Sequence, residues 1–505
     1  MKAEVKFETD NIKLQKAFNA AEKAALSNIK DFCGRKVMIE GGGYPALWLE
    51  TQPMAGEMYA KRNLETAVNN CEIFMDFQRA DGRLPGKLIK DGDSVKPHYD
   101  FLQGCYLAEP AFELYFLAKK DKAYLKKLYG CLEKFDAYLW KYRDSDGDGC
   151  LESWCVWDTG EDYCTRYGDA DENFEGEEPP ENKKSVPMES IDFMGYSHAN
   201  RSVLSQISIL LANGRAEYWE NAAAAVRKKI KDYLWDEKRS ACFDRDANNR
   251  VIDILSHNTL RAMYFGALEQ NMADSFIGRH ILNPSEFWTP FPLPSISAGD
   301  KAFRNVPQND WSGQPQGLTY QRAIRAFENY GHFAEITLIG QKFIEAVSKS
   351  LKFTQQFDPF TGGQTDDNRL WDYGPSVIST LEFIARLYGV RFCRGFLYWS
   401  AAGKGGKYSY AQTLRENSYR LERSGASAVC YINDKEVFGF SGLAQIETDE
   451  YGAIKNVTGI YPEASEVTIL TSGKSYGLNL KPNEVYEYSG GGFKLARRAS
   501  FDYMK

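Results

Sequence analysis

From about Asn11 to Val390 the apolar positions recur with a helical period. In NLETAVNNCEIFMDFQ, Leu64, Ala67, Val68, Cys71, Phe74 and Met75 fall at i, i+3, i+4, i+7 spacing, which lines one face of a helix. SVLSQISILLANG repeats the pattern with Val203, Leu204, Ile207, Leu210 and Leu211 and stops at Asn213-Gly214, read as a C-cap. RAEYWENAAAAVRKKIKDYLWD follows at once, so these two helices are expected to form an antiparallel hairpin. Further helical segments start near Asn11, Tyr99, Lys122, Asn258, Gly317, Phe333 and Pro375. Three long aromatic-rich stretches interrupt them, at 39–59, 155–187 and 280–317. Roughly a dozen helices in hairpins, with short turns alternating with long loops, predict a mainly α chain built as an α/α toroid. Its long loops would gather at one mouth, where loops of this length usually serve function. The periodicity alone equally allows an irregular helical solenoid.

After Val390 the period changes to two. KYSYAQTL, SYRLER, ASAVCYI, KEVFGFS, AQIETD, EVTILTS, YGLNLKP and EVYEYS are short alternating runs, separated by turn signals such as Asn433-Asp434, Tyr451-Gly452 and Ser472-Gly473. They predict an antiparallel β-sandwich. The expected division is a barrel domain over 1–392 and a sandwich over 393–505, the second serving mainly as packing.

At 505 residues the chain exceeds what one core usually supports, in keeping with two domains. Against 69 acidic residues stand 62 basic ones, with no basic block, which argues against nucleic acid or an anionic membrane as a partner. Ten cysteines are scattered without a C-x-x-C pair and read as reduced thiols. The start MKAEVKFETDN carries no apolar signal region and no membrane-length apolar run follows, so a cytoplasmic protein is expected. With 14% aromatic residues, stacking of sugar rings is as good an account of the composition as a large core. No organic cofactor is expected.

The densest chemistry lies in ESWCVWDTGEDYCTRYGDA, Glu152 to Ala170, where Asp162 sits between Glu161 and Arg166 among aromatic residues. Aromatic walls that strip water from a carboxyl raise its pKa, which is what a general acid near neutral pH requires. TGEDYCTRY resembles the S-G-x-D-x-S-x-R-[WF] segment of the clan-G α-glycosidases, glycoside hydrolase families 63 and 37, which include processing α-glucosidase, trehalase and the mannosylglycerate and glucosylglycerate hydrolases. The resemblance implies that Asp162 is the general acid and Arg166 a substrate contact. NDWSGQPQGLTYQRAIRAFENYGH is similar to a second segment of these enzymes, W-R-G-P-x-W followed by a helix, which makes Trp311, Gly313 and Gln316 candidate contacts. Ser312 stands where that segment has Arg, and Gln316 where it has its second Trp. TQQFDPFTGG resembles W-E-Q-Y-D-P-x-T-G, whose Glu is the general base, so Gln355 occupies the base position and Gln356 is the ordinary Gln beside it. DYGPSVISTLEFI, with Tyr373, resembles the last barrel helix. The loop YPALWLETQPMAGEMY resembles the first substrate loop and makes Tyr44, Trp48 and Glu50 candidate sugar contacts, with Trp157 on the acid loop. A packed loop around one buried carboxylate is the plain alternative.

The resemblance implies an (α/α)6 barrel and an inverting, exo-acting α-glycosidase, most naturally an α-glucosidase on a disaccharide, a small oligosaccharide or a glucoside. Glu and Gln are nearly isosteric, so Gln355 keeps a binding site's shape while removing its proton acceptor. With the rest of the motif intact, the expectation is an engineered Glu-to-Gln exchange. The alternatives are an inactive sugar-binding protein and an inverting phosphorylase, which would need a cationic phosphate pocket where only Lys352 and Arg369 lie close in sequence. The seven carboxylates between Asp169 and Glu181 suggest either a mobile lid or a solvated loop.

RDSDGDGCLE is a separate signal. Asp144, Asp146, Asp148 and Gly149 stand at positions 1, 3, 5 and 6 of a calcium loop, but position 12 is Cys155 rather than the bidentate Glu. Some enzymes of the resembled family hold a calcium ion at such a loop with a distant Glu completing the shell, which makes Glu152 and Glu189 further candidates.

Overall fold

The structure is a computed structural model and describes residues 2–181, 183–307, 309–364 and 371–497. Twelve α-helices among them form two concentric rings. Gln52–Tyr59, Ala108–Leu117, Ile191–Leu211, Asn258–Tyr264, Gly317–Asn329 and Gly374–Tyr388 make the inner ring, each packed on the next and the last on the first. Ile12–Ser27, Leu64–Asp76, Lys122–Tyr142, Ala216–Lys229, Gln270–Phe276 and Phe333–Ser350 lie outside. Burial explains the sorting. The outer helix Ala216–Lys229 buries only Trp219, Ala223 and Val226, a narrow amphipathic stripe. The inner helix Gly374–Tyr388 buries nearly every residue. Gly317 lets two inner helices meet, because an added Cβ would fall on the Ser376 hydroxyl.

The connections place the site. From inner to outer helix the chain turns within a few residues, as at 60–63, 118–121, 212–215 and 330–332. The long segments 28–51, 77–107, 143–190 and 351–373 all run back to the start of an inner helix. Every long loop therefore arrives at the ring of inner N-termini, and that end is the mouth.

Two antiparallel sheets follow the barrel. The seven-stranded sheet runs Ala3–Thr9, Lys407–Leu414, Asn417–Ser424, Ser427–Ile432, Lys435–Ser441, Ser465–Thr471 and Lys474–Leu480 in spatial order. The six-stranded sheet runs Val390–Cys393, Phe396–Ala401, Ala444–Asp449, Ile454–Thr458, Val485–Ser489 and Gly492–Arg497. The first strand corrects the expected division at 392/393. Ala3 pairs with Leu414 and Thr9 with Tyr408, so the N-terminal residues belong to the sandwich and cover what would be an open edge. The sandwich also begins earlier than expected, at Val390, directly after the last barrel helix.

Two helix boundaries differ from the sequence reading as well. The segment near Tyr99 becomes helical only at Ala108, because Asp158 takes up its backbone: Leu102 N–H donates to Asp158 Oδ1 (2.9 Å) and Gly104 N–H to Asp158 O (2.7 Å). The helix containing Val203 ends at Ala212 in left-handed conformation, one residue before the Asn-Gly signal. All ten cysteines are free thiols, eight of them buried. No helix among the described residues is long and apolar enough to cross a membrane.

Candidate active site

The acid loop hangs from one buried ion pair. Asp158 pairs with Arg143, accepts from Trp154 N–H (2.8 Å) and Leu102 N–H (2.9 Å), and so joins three segments. Burial pushes this carboxyl up, but Arg143 and the donors outweigh it and hold it below the usual carboxylate range. Gly160 follows at φ +72°, and an added Cβ there would fall on the Glu50 carboxylate, so only glycine lets the chain cross Glu50. Beyond it Glu161 turns inward to Arg166, Arg261 and His257, while Asp162 is half-buried at the mouth. Burial, then Glu50 and Glu172, raise the Asp162 carboxyl to about 7, against the pull of Asn309 Nδ2, which donates to its Oδ2 (2.6 Å). A carboxyl so placed keeps a proton to give near neutral pH.

Gln355 faces it across Asn309. Gln355 Nε2 donates to Asn309 Oδ1 (2.5 Å) and Gln355 Oε1 accepts from the Tyr44 hydroxyl (2.9 Å). One asparagine side chain thus spans the gap between positions 162 and 355. Two hydrogen bonds and an amide width allow a gap of up to about 7 Å, which reaches the lower end of the ~6.5–9.5 Å that leaves room for a water between two carboxyls. Gln356 points away and serves the scaffold: its Oε1 accepts from Asn309 N–H and its Nε2 donates to Asp310 O (3.3 Å).

The remaining candidates divide into walls and supports. Tyr44 packs edge-on to Tyr373 (6.2 Å). Trp48 stacks on Phe101 (6.2 Å), which meets the edge of Trp157 (5.5 Å), and Lys87 Nζ lies 4.7 Å over the Trp48 ring. Glu50 is buried between Gln103 (2.7 Å) and Arg322 (2.7 Å). Burial raises its carboxyl, with Arg322 pulling the other way.

The expectation that Arg166 is a sugar contact is corrected, and Trp311, Gly313 and Gln316 are buried. All three Arg166 guanidinium nitrogens are taken by Glu161, Asp192, Asp244 and Thr159, so it braces the acid loop from behind. Trp311 is buried against His257, with Arg261 and Arg322 over its ring, and its backbone N–H donates to Asp162 O (3.0 Å). Gly313 is needed because an added Cβ would strike Arg304 O. Gln316 is buried at the start of an inner helix, its Nε2 turned to Asp310 O (3.4 Å). Nor is the 169–181 run a free flap. Glu177 binds Arg79, Arg83 and Tyr138, Asp169 accepts from Ser185 (2.8 Å), and Asp171 pairs with Lys183 (3.1 Å). Of the two cations near Gln355 in sequence, Lys352 lies over the Trp371 ring (3.9 Å) and Arg369 is outside the described residues.

Sequence reasoning missed Asn309, Arg322 and Glu40. Asn309 stands in left-handed backbone at φ +52°, a conformation asparagine tolerates better than most residues. Glu40 is buried beside Tyr373, its carboxyl pushed well up by burial and then by Glu50.

The calcium-like loop is built as a donor set. Oxygens of Asp144, Asp146 and Asp148 lie within 4.8 Å of one another, as do those of Asp146, Glu152 and Glu189. Glu152 and Glu189 face each other across a two-residue strand pair. Glu189 Oε2 is buried with no partner among the described residues, while Lys229 Nζ reaches Asp148 Oδ2 (3.1 Å). All-oxygen donors of this kind fit a hard divalent cation.

Comparison with known proteins places the fold. Among curated proteins none matches the chain at the sequence level. Among solved structures, the family 63 mannosylglycerate hydrolase of Thermus thermophilus in complex with Tris superposes with a TM-score of 0.58 at 16% identity, over 72% of this chain and 100% of that one. The neutral trehalase Nth1 of Saccharomyces cerevisiae gives 0.54 at 13%, over 70% and 74%. A rhamnosidase from Klebsiella oxytoca with rhamnose bound gives 0.52 at 13%, over 75% and 64%. At these identities the likeness is one of fold. The family model described as the mannosylglycerate hydrolase MGH1-like glycoside hydrolase domain matches residues 55–375, well over half of the sequence, and the chain belongs to this family of glycoside hydrolases.

Proposed function

We propose that the chain is built to hydrolyse an α-glycoside from its end with inversion, most naturally an α-glucoside. The carrying observation is the hydrogen-bonded span Asp162–Asn309–Gln355 across the mouth. In this reading Asp162 protonates the leaving oxygen and position 355 holds the attacking water on the opposite face of the sugar. Tyr44, Trp48, Phe101, Trp157 and Tyr373 wall the sugar, and Glu50 with Arg322 holds its hydroxyls. Gln355 can orient the water but takes no proton from it. An exchange of a base glutamate for glutamine accounts for a site otherwise complete.

A second reading has its own observation. Both ends of the Gln355 amide are hydrogen-bonded, as a resident amide's would be, and such a chain binds the sugar without turning it over. Gln355→Glu separates the two. On α-disaccharides followed by anomer-resolved NMR, the first reading expects turnover to rise at least about a hundredfold, with inverted product formed first. Unchanged turnover on a sugar that binds leaves the binding protein.

The same proposal gives the 144–148 loop a calcium ion, held by Asp144, Asp146, Asp148, Glu152 and Glu189. Bound there, the ion would cancel the mutual repulsion of these carboxylates. Glu152 N–H donates to Arg143 O (2.6 Å), and Arg143 pairs with Asp158, so order in this loop is passed on to the acid loop.

A further inference from the structure

Asp162 and Tyr163 are consecutive, yet the first is half-buried and the second exposed. Tyr163 is 58% exposed and stands in left-handed backbone at φ +55°. That conformation is a true outlier for a bulky side chain and collects at ligand-binding sites. Packing does not account for it, since the ring buries little. The residue is nevertheless fixed at both ends. Its carbonyl accepts from Arg304 Nη2 (2.7 Å) and the Ser312 hydroxyl (3.3 Å), and its phenol donates to Glu172.

A second exposed ring stands on the loop that carries Gln355. Phe360 is 50% exposed, on a turn closed by Asp358 Oδ1, which accepts from the N–H groups of Phe360 (3.0 Å) and Thr361 (2.8 Å). Its edge meets Phe303 (6.0 Å). Segment 302–305 ties the two loops together. Ala302 O accepts from the Thr165 hydroxyl (3.3 Å), Arg304 holds Tyr163, and Asn305 Nδ2 donates to Asp358 Oδ2 (2.7 Å). The loops that carry positions 162 and 355 thus each bear an exposed aromatic ring and are tied together through 302–305.

We propose that Tyr163 and Phe360 form the aglycone subsite and that the leaving group is a neutral sugar ring rather than a short carboxylic acid. The inference rests on the reading of Asp162 as the acid. Pyranose faces present C–H groups that pack on aromatic faces, whereas a small carboxylate gains nothing from two rings. The rim also repels anions. Glu172 adjoins Tyr163, and Arg304 already pairs with Asp310 (2.8 Å). Lys87 and Lys352 each lie over an indole ring.

Calorimetric titration of the unaltered chain tests this with glucose, mannose, a panel of α-linked disaccharides and the corresponding glycosylglycerates. A disaccharide should bind about tenfold or more tighter than its monosaccharide. Tyr163→Asn, which tolerates the left-handed turn, and Phe360→Ala should each remove most of that gain and leave monosaccharide affinity unchanged. Disaccharide affinity unmoved in both variants, or a glycosylglycerate bound more tightly than every disaccharide, overturns the proposal while the glycosidase reading stands. If the unaltered chain binds none of these sugars, both fall together.

Discussion

At the scale of residues, the proposed chemistry rests on one carboxyl, Asp162, whose pKa burial raises and one amide, Asn309, holds back. In the Gln355→Glu protein, Asp162→Asn should lower kcat on unactivated glycosides by about 10²–10⁴, with far less loss on a glycosyl fluoride, whose leaving group needs no proton. Equal losses on both substrates would make Asp162 structural. With the carboxyl near 7, activity of the Gln355→Glu protein should fall as pH rises through that value. The sign carries over to stability. A folded pKa above the unfolded ~3.9 means that the native state holds this proton more tightly, so unfolding free energy declines between about pH 4 and 7. Asn309 opposes that shift by donating to the carboxylate. Asn309→Leu should therefore move the alkaline limb of the pH profile upward, which a lesion of packing alone would not do.

At the scale of elements, the loops decide more than the helices. A chelator should lower the melting temperature and calcium restore it, with Glu189→Gln abolishing the response. No thermal response in protein shown free of metal would dispose of the ion. The helices themselves were legible, because an amphipathic stripe is a local pattern and Leu64–Asp76 or Ala216–Lys229 shows it within one turn-to-turn window. The acid loop stood out because its acids and aromatics lie together in one short segment, Glu152 to Ala170, although Asp162 and Gly160 meet distant partners, Asn309, Trp311 and Glu50. Arg166 was misplaced because its four partners, Glu161, Thr159, Asp192 and Asp244, come from three separate segments. Asn309 was overlooked for the same cause, since nothing local announces that it meets both 162 and 355. The N-terminal strand pairs with residues about four hundred positions away, a contact to which no local period points.

At the scale of the whole molecule, the barrel and the sandwich share a buried charge cluster remote from the mouth. His332 lies between Asp274 (2.7 Å) and Glu335 (2.9 Å), and Asn483, on the turn between two sandwich strands, donates to Glu335 (2.9 Å) while accepting from Ala334 N–H (2.8 Å). Burial pushes the imidazole down, but Glu335 and Asp274 outweigh it and set its pKa at about 9. A folded pKa above the unfolded ~6.5 gives stability that is fully present below that value and is lost as pH rises through about 9. The contribution is of the order of 3 kcal/mol, since every tenfold gain in proton affinity on folding is worth about 1.4 kcal/mol. The melting temperature should therefore decline from pH 7 to about 9.5, and the barrel–sandwich contact should loosen with it. His332→Gln should melt lower at pH 6 and show a flatter decline over the same range. An identical slope in both proteins would remove His332 as its source.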